Sequence, residues 1–392
     1  MTWLVIGLLV LTGVSAVYWV GAFQCSAAFR RRALETSSFA PRVTILKPLR
    51  GAGARLHESL RSFCEQDYPE YQIVAGVRDA DDPAVKVVSR LMAEYPRLDL
   101  RLVVSDRLLG TNPKVSNLGN LYEAAKHDVL VVADSDIRVG RDYLRTVVAP
   151  LADRQVGLVS CLYRGIDDGG LWATLGAMFI NEWFFPSALV GARLEGVAHA
   201  FGATMVCRRD MLEKVGGFAA LADYLADDYR LGQLVARAGG RVVISRYVVD
   251  TGVTATTFRE LFLRELRWAR TFRTLRPIGY FFSVVTLALP ILLLGILATP
   301  SAPVNVAGAL ALVGVRLAGA VVFSRTLALP VSWRHLSLVP VRDALTLTIW
   351  ALSFLGRTVY WAGWRFRVDR QGKLTCADRS ARDLTLAAEE VS

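Results

Sequence analysis

Residues 3–23 carry no charged side chain. A run of that length and polarity crosses the hydrocarbon core of a bilayer as one helix, because each backbone amide must be bonded inside the segment. A cleaved leader fits poorly: no basic residue precedes the run and no small-residue cleavage site follows it. Arg30-Arg31-Arg32 follows instead, which predicts a cytoplasmic C-terminal end for the helix. A second uncharged run covers 278–300, with Pro290 as a kink point. A third, 303–324, holds a single charge, Arg316. A fourth, 336–364, is interrupted by Arg342, Asp343 and Arg357. Two readings stand for it. It spans, or it lies partly in the interface with Trp350, Tyr360, Trp361 and Trp364 as anchors. If all four runs span, the basic tail ends outside, against the positive-inside tendency.

Composition agrees with a membrane setting. Of 392 residues, 53% are hydrophobic, and the mean hydropathy is +0.36. The net charge of +11 suits nucleic acid, an anionic membrane or phosphorylated substrates. Many arginines flank apolar stretches, so the membrane is the expected partner and nucleic acid is not. The five cysteines are scattered and form no CxxC, which predicts neither a disulfide framework nor a zinc site. Reduced, mostly buried thiols in a cytoplasmic domain are expected. The histidines show no ligand spacing.

Between the first two apolar runs the pattern alternates strand and helix. Strands are expected at 43–46, 71–77, 100–104 and 129–133. Helices are expected at 56–64, 82–95, 117–126, 141–149 and 226–238. This predicts an α/β domain with a parallel sheet under helices, whose ligands bind beyond the carboxyl ends of the strands.

Acidic clusters follow two of those strands. One is Arg78-Asp79-Ala80-Asp81-Asp82, the other Asp134-Ser135-Asp136. Carboxylates one residue apart after a buried strand can hold a hard divalent cation, Mg2+ or Mn2+, against a diphosphate. For Asp-x-Asp alone, a solvated capping turn is about equally good. The dinucleotide alternative is weak, because in Lys47-Pro48-Leu49-Arg50-Gly51-Ala52-Gly53 the third glycine of the fingerprint is replaced by Leu56. Lys114, in Asn112-Pro113-Lys114, sits at a helix entrance that suits phosphate, although a plain surface lysine reads as well. Asp228, in Ala226-Asp227-Asp228-Tyr229, reads as a helix cap or as a general base for an acceptor hydroxyl. Arginines 259, 264, 267, 270, 273 and 276 recur at mostly three-residue steps with Leu261, Phe262, Leu266 and Trp268 among them. That predicts an amphipathic interfacial helix with a basic face. Most of these arginines would only anchor topology, whereas Arg267 could bind a diphosphate and Trp268 floor a sugar site. The apolar segment 171–190 is expected to be an interfacial helix at an acceptor entrance, with a core helix as the alternative.

Taken in order, these motifs resemble the family-2-type glycosyltransferase fold and, more closely, the ceramide glucosyltransferase family. The likeness rests on Lys47-Pro48-Leu49-Arg50-Gly51, Asp67-Tyr68-Pro69, Asp79-Ala80-Asp81-Asp82-Pro83, Asn112-Pro113-Lys114, Asp134-Ser135-Asp136-Ile137-Arg138, Asp227-Asp228-Tyr229 and Arg264-x-x-Arg267-Trp268. It implies a GT-A (Rossmann-like) cytoplasmic domain with one N-terminal and two to three C-terminal transmembrane helices. It further implies a UDP-sugar donor, a divalent metal, inversion at the anomeric carbon and a membrane-lipid acceptor. Carried onto this chain, Lys47, Asp79, Asp81, Asp82, Lys114, Asp134 and Arg264 are donor-binding. Asp134 and Asp136 hold the metal, and Asp228, Arg267 and Trp268 are catalytic. The stretches Cys161-Leu162-Tyr163-Arg164-Gly165 and Asn181-Glu182-Trp183-Phe184-Phe185-Pro186 are also similar to a bacterial hopanoid-biosynthesis branch, which implies N-acetylglucosamine and a hopanoid polyol. The sugar, the lipid and the oligomeric state are left open.

The expected layout is a membrane helix at 1–24, the GT-A domain at 35–255, an interfacial helix at 256–276, membrane helices within 278–364 and a tail at 365–392. The expected location is a bacterial inner membrane, with the catalytic domain facing the cytoplasm. A processive polysaccharide synthase would need more spanning helices for a secretion channel. A transporter leaves the carboxylates at two strand ends unexplained.

Overall fold

A computed structural model of the chain describes residues 2–34, 37–53, 55–299, 302–361 and 364–378. The chain divides into two units. One, mostly helical, comprises Met1–Arg32, Asp167–Gly196 and Ala255–Gly356. The other, α/β, comprises Ala33–Ile166, Val197–Thr254 and Arg357–Ser392.

The α/β unit is built on an eight-stranded sheet. Its strands are β1 (Val43–Pro48), β2 (Tyr71–Val77), β3 (Asp99–Val104), β4 (Val129–Ala133), β5 (Ile137–Arg138), β6 (Val156–Asp167), β7 (Thr204–Arg208) and β8 (Arg241–Val253). Their order is β3-β2-β1-β4-β7-β6-β8-β5. The first four neighbours are parallel, as the alternation predicts. Beyond β4 the pairing turns antiparallel, β4 with β7 and β7 with β6, so the sheet is mixed and not parallel throughout. A strand covered on both faces shows the same continuous apolar run in either direction, which is why the run 129–133 did not reveal the change.

Each central strand feeds two cores by its two-residue period. Val43 and Ile45 join the cluster under helices Leu56–Cys64 and Ala84–Glu94. Leu46, Leu130 and Val132 join the one under Pro113–Glu123 and Asp227–Arg237. The helix expected from 117 begins at Pro113, because Asn112 caps it by accepting from the Val115 N–H at 3.0 Å and Pro113 occupies the first turn.

Among the described residues, three helices of the helical unit are long and apolar enough to cross a membrane: Trp3–Arg31, Pro303–Thr326 and Trp333–Ser353. A fourth candidate is the pair Pro277–Thr286 and Pro290–Ala298, whose halves meet at 69°. The last helix stops at Ser353, so the apolar run continuing to 364 is not one span. Thr358–Trp361 is instead strand β9, which forms a separate antiparallel sheet with β10 (Trp364–Val368) and β11 (Leu374–Asp378) within the α/β unit. Residues 379–392 of the expected tail lie outside the described residues.

Arg316, Arg342 and Asp343 are buried and paired, as charges carried on apolar helices must be. Arg316 donates to Glu182 Oε2 at 2.7 Å and to Asp343 Oδ1 at 3.0 Å. His335 Nε2 meets the other oxygen of Glu182. Arg342 forks onto both carboxylate oxygens of Glu265, at 2.8 and 2.7 Å, and donates to the Leu175 carbonyl at 3.0 Å. Glu182 is aimed inward by a single π-helical turn, Ile180–Phe184, the kind of insertion that re-aims one residue of a helix. Segment 171–190, expected in the interface, is mostly core: Leu175, Met178, Ile180 and Phe185 are all buried.

Breaking one buried pair strands its partner. Glu265→Ala should lower stability by about 3–5 kcal/mol, and adding Arg342→Met should restore most of it. Thermal unfolding in detergent measures both; a double variant no better than the single one contradicts the pairing.

Candidate active site

The parallel half of the sheet sets the site. β2 and β4 flank β1 and run with it. Asp79-Ala80-Asp81-Asp82 and Asp134-Ser135-Asp136 therefore leave the same sheet edge.

The two clusters differ in what their carboxylates do. Asp79 and Asp81 are exposed. Asp82 accepts from the Gly51 N–H at 3.0 Å and from the Ala84 N–H at 2.8 Å. It ties the loop after β1 to the helix after β2. Lys47, fully buried, donates to the main-chain carbonyl of Asp134 at 2.5 Å and lies 4.0 Å above the Phe63 ring. Burial pulls its pKa down to about 7, against the opposing pull of Asp136 and Asp134. Lys47 thus props the Asp134 loop from beneath.

Lys114 is the hub. The helix it opens packs against β1 and β2, and its ammonium lies 2.6 Å from Asp134 Oδ1 and 3.6 Å from Asp227 Oδ2. Burial disfavours that charge, but Asp134 and Asp227 outweigh it and the pKa is raised. Three segments far apart in sequence are thereby joined: the Asn112 loop, the end of β4 and the start of helix Asp227–Arg237. The capping reading of the Asp227-Asp228 pair does not hold. The cap position is Ala226 and no side chain caps the helix.

Asp228 is partly buried, and its Oδ1 accepts from the Tyr229 N–H at 2.7 Å. Burial, then the charge of Asp227, pushes its pKa up to about 7, close to the value wanted of a general base at neutral pH. The backbone of Gly202 leaves room for it: a Cβ there would sit 3.0 Å from Asp228 Oδ2. His199 stacks on Tyr229 with centroids 5.2 Å apart, and burial holds its pKa low. Sequence reading did not single out His199, Gly202 or Thr251; no local pattern marks them.

Asp134 and Asp136 suit a hard cation by donor chemistry. Asp136 is exposed, and its Oδ2 accepts from Thr251 Oγ1 at 2.7 Å. Among the described residues no three His, Cys, Asp or Glu side chains form a metal cage. A Mg2+ or Mn2+ shared with a diphosphate needs only one or two carboxylates, so the pair fits.

Arg264, Arg267 and Trp268 belong to the helical unit, on helix Phe258–Leu275. Its N-cap Thr257 accepts from the Glu260 N–H at 3.2 Å. Its buried face is Leu261, Glu265, Leu266 and Ala269. Trp268 stacks on Phe179 at 5.9 Å, and the Arg264 guanidinium lies 5.6 Å from the Trp268 ring.

The profile of glycosyl transferase family 21 matches residues 7–374. The chain belongs to that family. It is 27% identical to ceramide glucosyltransferase 3 of Caenorhabditis elegans over 238 residues, which is 60% of this chain and 52% of the relative. It is 34% identical to the ceramide glucosyltransferase of Komagataella phaffii over 131 residues, 32% of this chain and 26% of the relative. This family 21 chain thus spans about half the length, or less, of these curated relatives. A solved mannosyltransferase of Pyrobaculum calidifontis, in complex with GDP-Man and Mn2+, superposes with a TM-score of 0.55 at 20% identity, covering 90% of this chain and 99% of its own. That likeness establishes the GT-A fold.

Removing the hub cation should expose the cost of the carboxylates. The folded pKa of Asp228 lies above its unfolded value, so its ionisation opposes folding as pH rises. Lys114→Met should therefore unfold at a lower temperature than wild type above about pH 7, and the gap should narrow toward pH 5, where Asp228 is protonated. A gap independent of pH contradicts the hub role.

Proposed function

We propose that this enzyme transfers a hexose from a UDP-sugar to the hydroxyl of a membrane lipid with inversion at the anomeric carbon, in the manner of ceramide glucosyltransferase acting on UDP-glucose and ceramide. The observation that carries the proposal is the Lys114 bridge. It links Asp134, at the strand end expected to face the donor diphosphate, to the Asp227-Asp228 pair expected to face the acceptor.

In this reading Asp228 takes the proton of the lipid hydroxyl. The oxygen attacks the anomeric carbon while the bond from that carbon to the diphosphate breaks, and UDP leaves with the electron pair. Lys114 stays beside the leaving diphosphate as a fixed cation, which is worth most where water is excluded. Asp134 and Asp136 would hold a Mg2+ or Mn2+ that supplies further charge neutralisation when bound. Asp79 and Asp81 are exposed and available to the nucleotide, while Asp82 and Lys47 shape the loops. Arg264 and Arg267 would take the diphosphate and Trp268 the acceptor side.

The same reading places the α/β unit on the cytoplasmic face of a bacterial inner membrane. Packing within the helical unit supports a specific topology. Helices Trp3–Arg31 and Pro303–Thr326 run parallel: Thr12 abuts Gly308, Trp19 stacks on Phe323, and Ser26 bonds Thr326 at 2.9 Å. Thr326 thus ends on the side of Arg30-Arg31-Arg32. Residues after 356 return to the α/β unit. Crossings between 255 and 356 must then be even in number. The bent pair and Pro303–Thr326 cross, and Trp333–Ser353 lies in the interface despite its hydropathy.

Asp228→Asn should reduce transfer by roughly 10²–10⁴-fold while UDP binding persists. In the wild type the rate should fall with pH below about 7 as the base protonates. EDTA should stop turnover, and unchanged rates would remove Asp134 and Asp136 from metal binding. Mass analysis of products from UDP-glucose with ceramide, and from UDP-N-acetylglucosamine with a hopanoid polyol, identifies both substrates. For topology, a cysteine at Pro330 should react with an impermeant maleimide only from the cytoplasmic side, and one at Ala302 only from the opposite side. The reverse result refutes the interfacial placement of Trp333–Ser353.

A further inference from the structure

The small sheet β9–β11 has no part in the function described so far, yet its last strand is bonded to the two loops that carry Lys114 and the Asp227-Asp228 pair. The Leu374 N–H donates to the Asp223 carbonyl at 2.7 Å, and the Leu225 N–H donates to the Gly372 carbonyl at 3.0 Å. Leu225 is buried with Val359, Phe366, Val368 and Leu374. The segment leading into Asp227 is therefore stitched to the sheet by backbone and by apolar packing.

Asp223 extends that stitch to the other loop. Its Oδ1 accepts from the Thr111 N–H at 3.0 Å. The Thr111 hydroxyl lies 3.1 Å from the same oxygen and 3.2 Å from the Leu374 carbonyl. Next in the chain, Asn112 donates its backbone N–H to the Ala222 carbonyl and its Nδ2 to the Tyr224 carbonyl, each at 2.7 Å. The loops approach so closely that a Cβ on Gly110 would lie 2.6 Å from Asp223 Oδ1 and 2.7 Å from the Ala222 carbonyl. Lys114 stands three residues beyond Thr111, and Asp227 and Asp228 stand just beyond Asp223 in the chain.

We infer that β9–β11 is a clamp for the active site and that Asp223 is its positioning residue, holding the Lys114 loop in register with the Asp227-Asp228 helix. The inference rests on the proposed roles of Lys114 and Asp228. The carboxylate works through one acceptor oxygen, so an amide oxygen should serve equally well. A shift of an ångström at either loop would separate the cation from the base, and misplacements of that size cost up to about a hundredfold in rate.

The test compares Asp223→Ala, Asp223→Asn and Asp228→Asn in the full-length, detergent-solubilised enzyme, by kcat for sugar transfer and by thermal unfolding midpoint. Asp223→Ala should lose about tenfold to a hundredfold in kcat with an unfolding midpoint close to wild type, and Asp223→Asn should recover wild-type turnover. An Ala variant with wild-type kcat overturns the inference, and so does an Asn variant as slow as the Ala variant. If Asp223→Ala does not fold, Thr111→Val replaces it: removal of the hydroxyl should slow turnover, and an unchanged kcat overturns the inference. Asp228→Asn separates the two levels. If it stays active, the base assignment has failed; if it is inactive while the Asp223 variants behave as wild type, only the clamp has failed.

Discussion

A single ammonium group organises the candidate site. Lys114 is nearly buried among carboxylates that would otherwise repel one another, and its contacts with Asp134 and Asp227 join a strand end to a helix start. Burying a charge is tolerable only when it is paired. Here each partner makes the burial of the other acceptable. Burial, and then the like charge of Asp227, leaves Asp228 with a raised pKa. A carboxyl held near neutrality is poised to accept a proton, which an exposed aspartate is not.

The helical unit solves a related problem differently. Arg316 and Arg342 sit in apolar helices, where an unpaired charge is costly. Glu182, Asp343 and Glu265 come to them from other segments. The Arg342–Glu265 fork fixes one face of the helix that carries Arg264, Arg267 and Trp268. The inward-facing Glu265 therefore sets how that helix is rotated about its axis.

Much of the α/β unit was legible in the chain. The run 129–133 and the helix pattern 56–64 reappear with the same bounds, because continuous apolar runs and helical periodicity report burial directly. Of the motifs behind the family resemblance, Lys47-Pro48-Leu49-Arg50-Gly51, Asp79-Ala80-Asp81-Asp82 and Asp134-Ser135-Asp136 lie at the carboxyl ends of parallel strands, whereas Asp67-Tyr68-Pro69 precedes β2 and Arg264-x-x-Arg267-Trp268 lies in the helical unit. Other features were not legible. The switch to antiparallel pairing beyond β4 leaves no mark in a strand buried on both faces. Arg342 and Asp343 read as interruptions of a span because their partners Glu265 and Arg316 are 77 and 27 residues away.

The sequence by itself determined the long apolar helices near the two ends, the α/β class and the kinds of group at the strand ends, since hydropathy and periodicity are local properties. Only the tertiary structure decided which of those groups share a charge. Lys47, expected at the donor, is buried and bonded to the Asp134 carbonyl. Lys114, expected at the donor phosphate, bridges Asp134 and Asp227, and Asp227, which looked like a helix cap, is its partner. Residues 358–378 looked like the end of a span and a tail, and form a sheet bonded to Asp223. The physical reason is that a salt bridge or a sheet hydrogen bond depends on distance in space, whereas a sequence pattern records only distance along the chain.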